Sequence, residues 1–130
     1  MTDDSGAAPD PFPAEVAVLV LSGELDYDRG AELSERVDAA LAARPPVLAV
    51  DLSAVSFADS FALRVLVLAN RRMRAEGGLF MLVGPLNVAV ARLLEATATD
   101  RYFSLAPDLT AAARTAAAAL RPPATGTGSA

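Results

Sequence analysis

The length, composition and charge of this chain exclude most classes of enzyme. It has 130 residues, of which 53% are hydrophobic, so it can bury the core of one compact domain. It contains no cysteine and no histidine, and all 11 basic residues are arginine. These absences exclude disulfides, thiol and imidazole catalysis, the common zinc sites and a catalytic lysine, and we expect no cofactor. The net charge of −5 argues against nucleic acid as a partner, because phosphate binding needs a basic surface.

The two ends of the chain differ from its middle in composition. Residues 1–14 are acidic and contain proline, and they lack the basic start and apolar core of a signal peptide. No apolar run approaches the roughly 20 residues that cross a bilayer. We therefore expect a cytoplasmic protein with no membrane partner. The predicted organisation is a flexible N-terminal segment over 1–14, a folded domain over 15–120 and a disordered C-terminal tail over 121–130.

Strand-like and helical segments alternate along the folded part. The hydrophobic patterns predict strands over 16–22, 47–51, 79–83 and, as a short edge strand, 102–105. They predict helices over 28–43, 60–75, 87–96 and 108–120. Alternation without a hairpin signal predicts an α/β fold with a four- to five-stranded, mostly parallel or mixed sheet and helices packed against it.

The helix predicted over 60–75 has an unusual outer face. At about 100° per residue, one side carries Ala62, Leu63, Leu66, Ala69 and Met73, which should face the core. The opposite side carries Phe61, Arg64, Leu68, Arg71, Arg72 and Ala75. Aromatic and arginine side chains together are favoured at protein–protein interfaces. We therefore predict a partner-binding surface that includes Phe61, Arg64, Leu68 and Arg71, although isolated exposed apolar residues are also normal.

Three aspartates near predicted strand ends suggest an alternative function. Asp26, Asp51 and Asp59 could together bind Mg²⁺, as in a phosphate-accepting receiver domain. Receivers also use a lysine, which this chain lacks. Catalysis by Ser60 is disfavoured as well, because no G-x-S-x-G turn surrounds it and no histidine could act as its base. We therefore predict that the protein is not an enzyme.

Three segments resemble one bacterial family. "LSGELDYDRGAELSERV" at 21–37, "VLAVDLSAVSFADSFALRVL" at 47–66 and "GGLFMLVGPLNVAVARLLEATATDRYF" at 77–103 resemble the anti-sigma-factor antagonists, which are STAS-domain proteins. The resemblance is collinear over roughly residues 16–118. It implies a STAS-like fold for residues 15–120.

The resemblance also implies a function and a site. Ser60 falls on the position that an anti-sigma factor, itself a serine kinase, phosphorylates in this family, and Asp26 and Asp59 fall on acidic positions beside it. The unphosphorylated protein would bind the anti-sigma factor and release sigma, and phosphorylation of Ser60 would switch this binding off. A cognate phosphatase would be a further partner. We expect a monomer or a weak homodimer.

The sequence departs from the family pattern immediately after Ser60. The family usually continues with Ser or Thr and then Gly-Leu-Gly, whereas this chain has Phe61, Ala62, Leu63 and Arg64. The family often has an additional N-terminal strand, which proline disfavours here. Two alternatives stay open: a constitutive STAS scaffold that is never phosphorylated, and a STAS domain that binds a small molecule or nucleotide.

Overall fold

The computed structural model describes residues 12–122, which form one four-stranded sheet with helices on both of its faces. The strands are β1 (Val16–Leu25), β2 (Val47–Ala58), β3 (Leu79–Val83) and β4 (Ser104–Ala106). The helices are α1 (Gly30–Ala42), α2 (Ser60–Ala75), α3 (Val88–Ala96) and α4 (Leu109–Leu120), and a 3₁₀ turn (Tyr27–Arg29) precedes α1. The sheet order is β1-β2-β3-β4 and each neighbouring pair is parallel. The predicted α/β class is confirmed.

The core consists of two layers, one on each face of the sheet. Helices α1, α2 and α3 pack on one face, where Leu48, Val50, Phe80 and Leu82 point toward them. Helix α4 covers part of the other face through Ala112 and Ala116. These two alanines contact a cluster that contains Val47, Ala49, Met81, Val83 and Ala106. Small side chains on α4 allow close packing against the branched residues of the central strands.

The inner face of α2 agrees with the helical periodicity of the sequence. All five residues predicted to face the core are at most 8% exposed: Ala62, Leu63, Leu66, Ala69 and Met73. Arg64, Leu68, Arg71, Arg72 and Ala75 are exposed, as predicted. Phe61 is the exception, because it is half-buried instead of lying on the solvent face.

Strands β1 and β2 extend further than the sequence pattern predicted. β1 was expected to end at residue 22 and β2 at residue 51, but they continue to Leu25 and Ala58. The added residues of β2 pair with β1 alone, since β3 pairs with β2 only from Val47 to Asp51. The two strands therefore form a ribbon that projects beyond the rest of the sheet. Their register shifts near Gly23, which has a φ of 76° that favours glycine.

Strand β1 is an edge strand, and arginine side chains bind its backbone. Arg29 Nη1 donates hydrogen bonds to the carbonyl oxygens of Ser22 and Glu24, both at 3.1 Å. Arg36 Nη2 donates to the carbonyl oxygen of Val20 at 2.8 Å. The Val20 side chain is 52% exposed. On the same face of β1, Val16 packs against the cluster beneath α4.

The termini of the predicted domain are only partly described. Phe12 is half-buried and packs against the cluster beneath α4. The predictions of a flexible segment, of a missing N-terminal strand and of a disordered tail otherwise concern residues 1–11 and 123–130, which lie outside the described residues. Within residues 12–122, none of the helices is both long and apolar enough to span a membrane.

Candidate functional site

The candidate site lies at the carboxyl end of the β1–β2 ribbon. Leu25 and Ala58 are paired in register, so the residues that follow each strand leave the sheet side by side. The segment after β1 forms the 3₁₀ turn that leads into α1, and the segment after β2 enters α2 directly. This arrangement brings Asp26, Tyr27, Asp59 and Ser60 to one end of the molecule.

Asp59 joins the two segments through hydrogen bonds. Its Oδ1 accepts from the backbone N–H of Ala62 at 3.0 Å, so Asp59 is the N-cap of α2. Its Oδ2 accepts from the backbone N–H of Tyr27 at 2.9 Å. The Asp59 backbone N–H in turn donates to the carbonyl oxygen of Leu25 at 3.1 Å. Both carboxylate oxygens therefore have a structural role, and the partner contact predicted for Asp59 stays a prediction.

Ser60 is the first residue of α2 and is exposed. Because Asp59 caps the helix, the Ser60 hydroxyl is not needed for that purpose. Within residues 12–122, the Ser60 side chain has no hydrogen-bond partner among protein groups. The hydroxyl is thus accessible, and it lies where the N–H groups and dipole of a helix create a positive potential.

Phe61 packs against the segment that follows β1. Its ring makes an edge-to-face contact with Tyr27, with centroids 5.5 Å apart and an interplanar angle of 84°. The same ring lies against Gly30 so closely that a Cβ atom on Gly30 would overlap it. Phe61 is therefore both a packing residue and part of the surface. This contact explains why a helix-face calculation, which considers α2 alone, overestimated its exposure.

The outer stripe of α2, defined here as Phe61, Arg64, Leu68 and Arg71, continues from Ser60 along the helix. Spacings of three or four residues place these side chains on one line. Leu68 is 48% exposed and borders a groove of about 200 Å³ between α1 and α2. Val37, Leu41 and Val65 also line this groove. An apolar groove beside two exposed arginines has the composition of an interface.

The three aspartates considered as a magnesium site have separate structural roles. Asp26 Oδ1 accepts from the backbone N–H of Arg29 at 3.2 Å and caps the 3₁₀ turn. Asp51 is 7% exposed, and its Oδ1 accepts from the backbone N–H of Ser53 at 2.9 Å. In the described part of the chain, no three acidic side chains are grouped so that they could hold a metal ion.

Two residues of the site were missed in the sequence. Tyr27 is 73% exposed beside Phe61, and Gly30 makes the space that the Phe61 ring occupies. A signal was present, because an aromatic residue in a polar segment after a strand is a typical binding position. The close approach of Gly30 and Phe61 joins residues from different elements, so local sequence patterns could not reveal it.

The fold and this site define the class of the protein. The chain belongs to the STAS domain family, whose model matches residues 10–112. An anti-sigma factor antagonist from Mycobacterium paratuberculosis has a crystal structure with a TM-score of 0.70 to this chain and 32% identity. That similarity covers 78% of this chain and 88% of the mycobacterial chain.

Two further similarities extend the comparison. A candidate anti-sigma factor antagonist from Thermotoga maritima has a TM-score of 0.75 and 27% identity, covering 82% of this chain and 91% of that one. The anti-sigma-F factor antagonist RsfB of Mycobacterium tuberculosis is 38% identical over 58 residues. That match includes 45% of this chain and 48% of the relative, so the chain spans about half the length of the curated relative.

Proposed function

We propose that the protein is an anti-sigma factor antagonist. In this function it binds an anti-sigma factor and thereby frees the sigma factor that the anti-sigma factor holds. The similarity to the antagonist from Mycobacterium paratuberculosis supports the proposal, because it combines 32% identity with most of both chains. The exposed site at the start of α2 supplies a surface on which such a partner could bind.

We further propose that phosphorylation of Ser60 by the anti-sigma factor, acting as a serine kinase, ends this binding. The observation that carries this proposal is the exposed Ser60 hydroxyl, which the Asp59 cap leaves without a structural role. In the transfer, Ser60 Oγ would form a bond to the γ-phosphorus of ATP and ADP would leave. A cognate phosphatase would restore the binding form.

A phosphate on Ser60 would be compatible with the folded protein. The helix N-terminus favours a negative group through its N–H donors and dipole. Arg64 follows Ser60 by one turn, is exposed, and has no carboxylate within 4.0 Å among residues 12–122. An acidic group four residues before a basic one is the favourable order in a helix, so Arg64 can pair with the phosphate. Phosphorylation would then change the surface without disrupting the fold.

The same phosphate would oppose a docked partner. It adds about 1.5 to 2 negative charges to the centre of the proposed interface. Burying the phosphate against an apolar contact removes its hydration, and the contact offers no hydrogen bond or opposite charge that would offset this cost. Partner affinity should therefore fall much more than stability.

The first experiment tests the switch. Tagged protein is used to isolate its anti-sigma factor from the source cells, and the purified pair is incubated with ATP. Intact-mass analysis should show one added phosphate on the wild-type protein and on Ser56→Ala, and none on Ser60→Ala. The Ser60→Ala variant should still bind the anti-sigma factor, whereas Ser60→Asp should bind at least about tenfold more weakly.

The outcomes separate the candidate functions. A phosphate on Ser53 or Ser56 only, or no phosphate with the isolated partner, would contradict the switch and favour a constitutive scaffold. Failure to capture any anti-sigma factor would contradict the antagonist function itself.

A second experiment tests the surface. Leu68→Asp should weaken binding of the anti-sigma factor about tenfold. Replacing a side chain at the centre of an interface typically costs more than about 1 kcal/mol of binding free energy. Arg114→Gln, on α4 at the other face of the sheet, is the matched control and should bind normally. Equal binding of both variants would show that the outer stripe of α2 lies outside the interface.

A further inference from the structure

A second candidate site lies at the opposite end of α2 from Ser60. A cavity of about 420 Å³ opens between the C-terminal half of α2, the start of β3 and the segment 101–104. Gly78 and Leu79 place it at the amino end of the sheet, whereas Ser60 follows the carboxyl end of β2. The volume falls within the roughly 300–1,000 Å³ typical of small-molecule sites.

The cavity is positively charged although the protein is acidic overall. Arg74 and Arg101 line it, and the described lining residues include neither aspartate nor glutamate. Among residues 12–122, neither guanidinium has a carboxylate within 4.0 Å. Arg74 and Arg101 are both exposed, so water can hydrate them in the absence of an acidic partner. Two arginines on one cavity also make it a favourable place for an anionic ligand.

Two buried polar atoms beside the cavity also have no partner in the described structure. They are the side-chain nitrogen Nδ2 of Asn70, a residue that is 3% exposed, and the hydroxyl oxygen of Tyr102. A buried donor without an acceptor costs about 1–3 kcal/mol of stability. Both groups can donate hydrogen bonds, and Asn70 and Tyr102 both line the cavity. Both atoms have almost no accessible surface, so a ligand with acceptor oxygens would satisfy them after a side-chain rearrangement at the cavity.

Arg74 lies close to the Tyr102 ring, and both residues line the cavity. It follows Asn70 by one helical turn, and its guanidinium carbon lies 5.9 Å from the centroid of the Tyr102 ring. Arg74 is exposed, so it can rotate away from the ring without disturbing the core. Phe80 and Phe103 also line the cavity, but at 1% and 5% exposure they offer little apolar surface to a ligand.

We propose that this cavity binds a small organic anion. Its carboxylate or phosphate oxygens would bind Arg74 and Arg101 and accept hydrogen bonds from Asn70 and Tyr102. Its apolar or aromatic body would pack against Leu79 and the Tyr102 ring, which are half-buried lining residues. This site is separate from the surface around Ser60, and it does not depend on the antagonist function.

The test is an NMR titration of the isotopically labelled full chain with three probes of similar size. Phenyl phosphate and phenylacetate are anionic, and benzyl alcohol is the neutral control. At least one anion should give saturable shifts at the amides of Gly78, Leu79 and Ser104, and not at Ser60. The anion that binds more tightly distinguishes a phosphate ligand from a carboxylate ligand.

The variants identify the residues responsible. Arg74→Gln combined with Arg101→Gln should lower the affinity for the anion at least about tenfold. Arg114→Gln should leave this affinity unchanged. Asn70→Leu, an independent variant, should lower the affinity for the anion as well. The absence of saturable shifts with either anion would overturn the proposal. Equal binding of benzyl alcohol, or undiminished binding by the double arginine variant, would also overturn it.

Discussion

The two ends of helix α2 differ in how completely their polar groups are paired. At the Ser60 end, both oxygens of Asp59 accept backbone hydrogen bonds and Asp26 caps the neighbouring turn. At the other end, Asn70 and Tyr102 each bury a polar atom that has no partner within residues 12–122. Asn70 follows Ser60 by ten residues, so about 15 Å of helix separate the two regions.

This difference has a consequence for each of the two proposed binding surfaces. The Ser60 end is already stabilised by its own hydrogen bonds, so it can present a free hydroxyl without loss of folding energy. The Arg74 end has two buried polar atoms without a partner among residues 12–122, so the ligand proposed there should stabilise the folded state. Substitutions at the two ends should therefore change stability in opposite directions.

The largest effect is expected at Asp59. Asp59→Asn replaces one acceptor oxygen by an NH₂ group, which cannot accept from either Tyr27 or Ala62. The free energy of unfolding should fall by about 2 kcal/mol. Asp108, the N-cap of α4, accepts a single such hydrogen bond, from Ala111 at 2.8 Å. Asp108→Asn is therefore the control and should change stability by less than about 0.5 kcal/mol, since Asn caps helices as well as Asp.

Urea denaturation of both variants measures the difference. Equal losses would mean that the hydrogen bond between Asp59 and Tyr27 contributes nothing. The hydrogen bonds at the Ser60 end would then not stabilise the fold as described.

An effect of opposite sign is expected at Asn70. Asn70→Leu replaces an unpaired buried amide by an apolar side chain of the same branched shape, so it should raise the free energy of unfolding by about 1.5 kcal/mol. Tyr102→Phe should act in the same direction. Tyr27→Phe is the control, because the Tyr27 side chain is 73% exposed and its stability effect should be near zero. Destabilisation by both Asn70→Leu and Tyr102→Phe in thermal denaturation would contradict the contrast between the two ends.

A smaller effect is expected from the contact between Gly30 and Phe61. Gly30→Ala should be unfavourable in the wild-type chain, because the added methyl group overlaps the Phe61 ring. In a Phe61→Ala background the space is free, and alanine is then the better helix residue. A double-mutant cycle should give a coupling free energy of about 1 kcal/mol. A coupling near zero would mean that the ring moves aside without cost.

The smallest effect concerns Arg64 and the proposed phosphate. Arg64→Ala should leave the unmodified protein unchanged and lower the stability of the Ser60-phosphorylated protein by about 0.5 kcal/mol. Differential scanning calorimetry of the four forms measures this difference. The same loss in both phosphorylation states would assign Arg64 a role unrelated to phosphate.

Helix α2 and strand β3 could be predicted from the sequence to the residue. Helix α2 has strong 3.6-residue periodicity between Asp59 and Gly77, and β3 is a short apolar run between a glycine pair and Gly84. Local patterns were sufficient there because packing and capping act within a few residues. The second half of β2 could not be predicted in this way, because the serines and alanines between Asp51 and Asp59 resemble a turn. Pairing with β1 holds that segment as a strand.

The sites differ in the same way. Ser60 could be found because it belongs to a contiguous motif at a helix start. The cavity at the other end could not, since Asn70 and Arg101 come from segments that only the fold brings together. The partner contacts of Asp26, Asp59, Phe61, Arg64, Leu68 and Arg71 remain predictions, and so does phosphorylation of Ser60.

The arginines that bind the backbone of β1 affect how this protein behaves at high concentration. An edge strand with free carbonyl groups can pair with a strand from another molecule and begin aggregation. Here the carbonyl oxygens of Val20, Ser22 and Glu24, at alternate positions along the strand, already accept hydrogen bonds from Arg36 and Arg29. These side chains occupy the places that a foreign strand would use. This edge is therefore a poor template for pairing with a strand of another molecule.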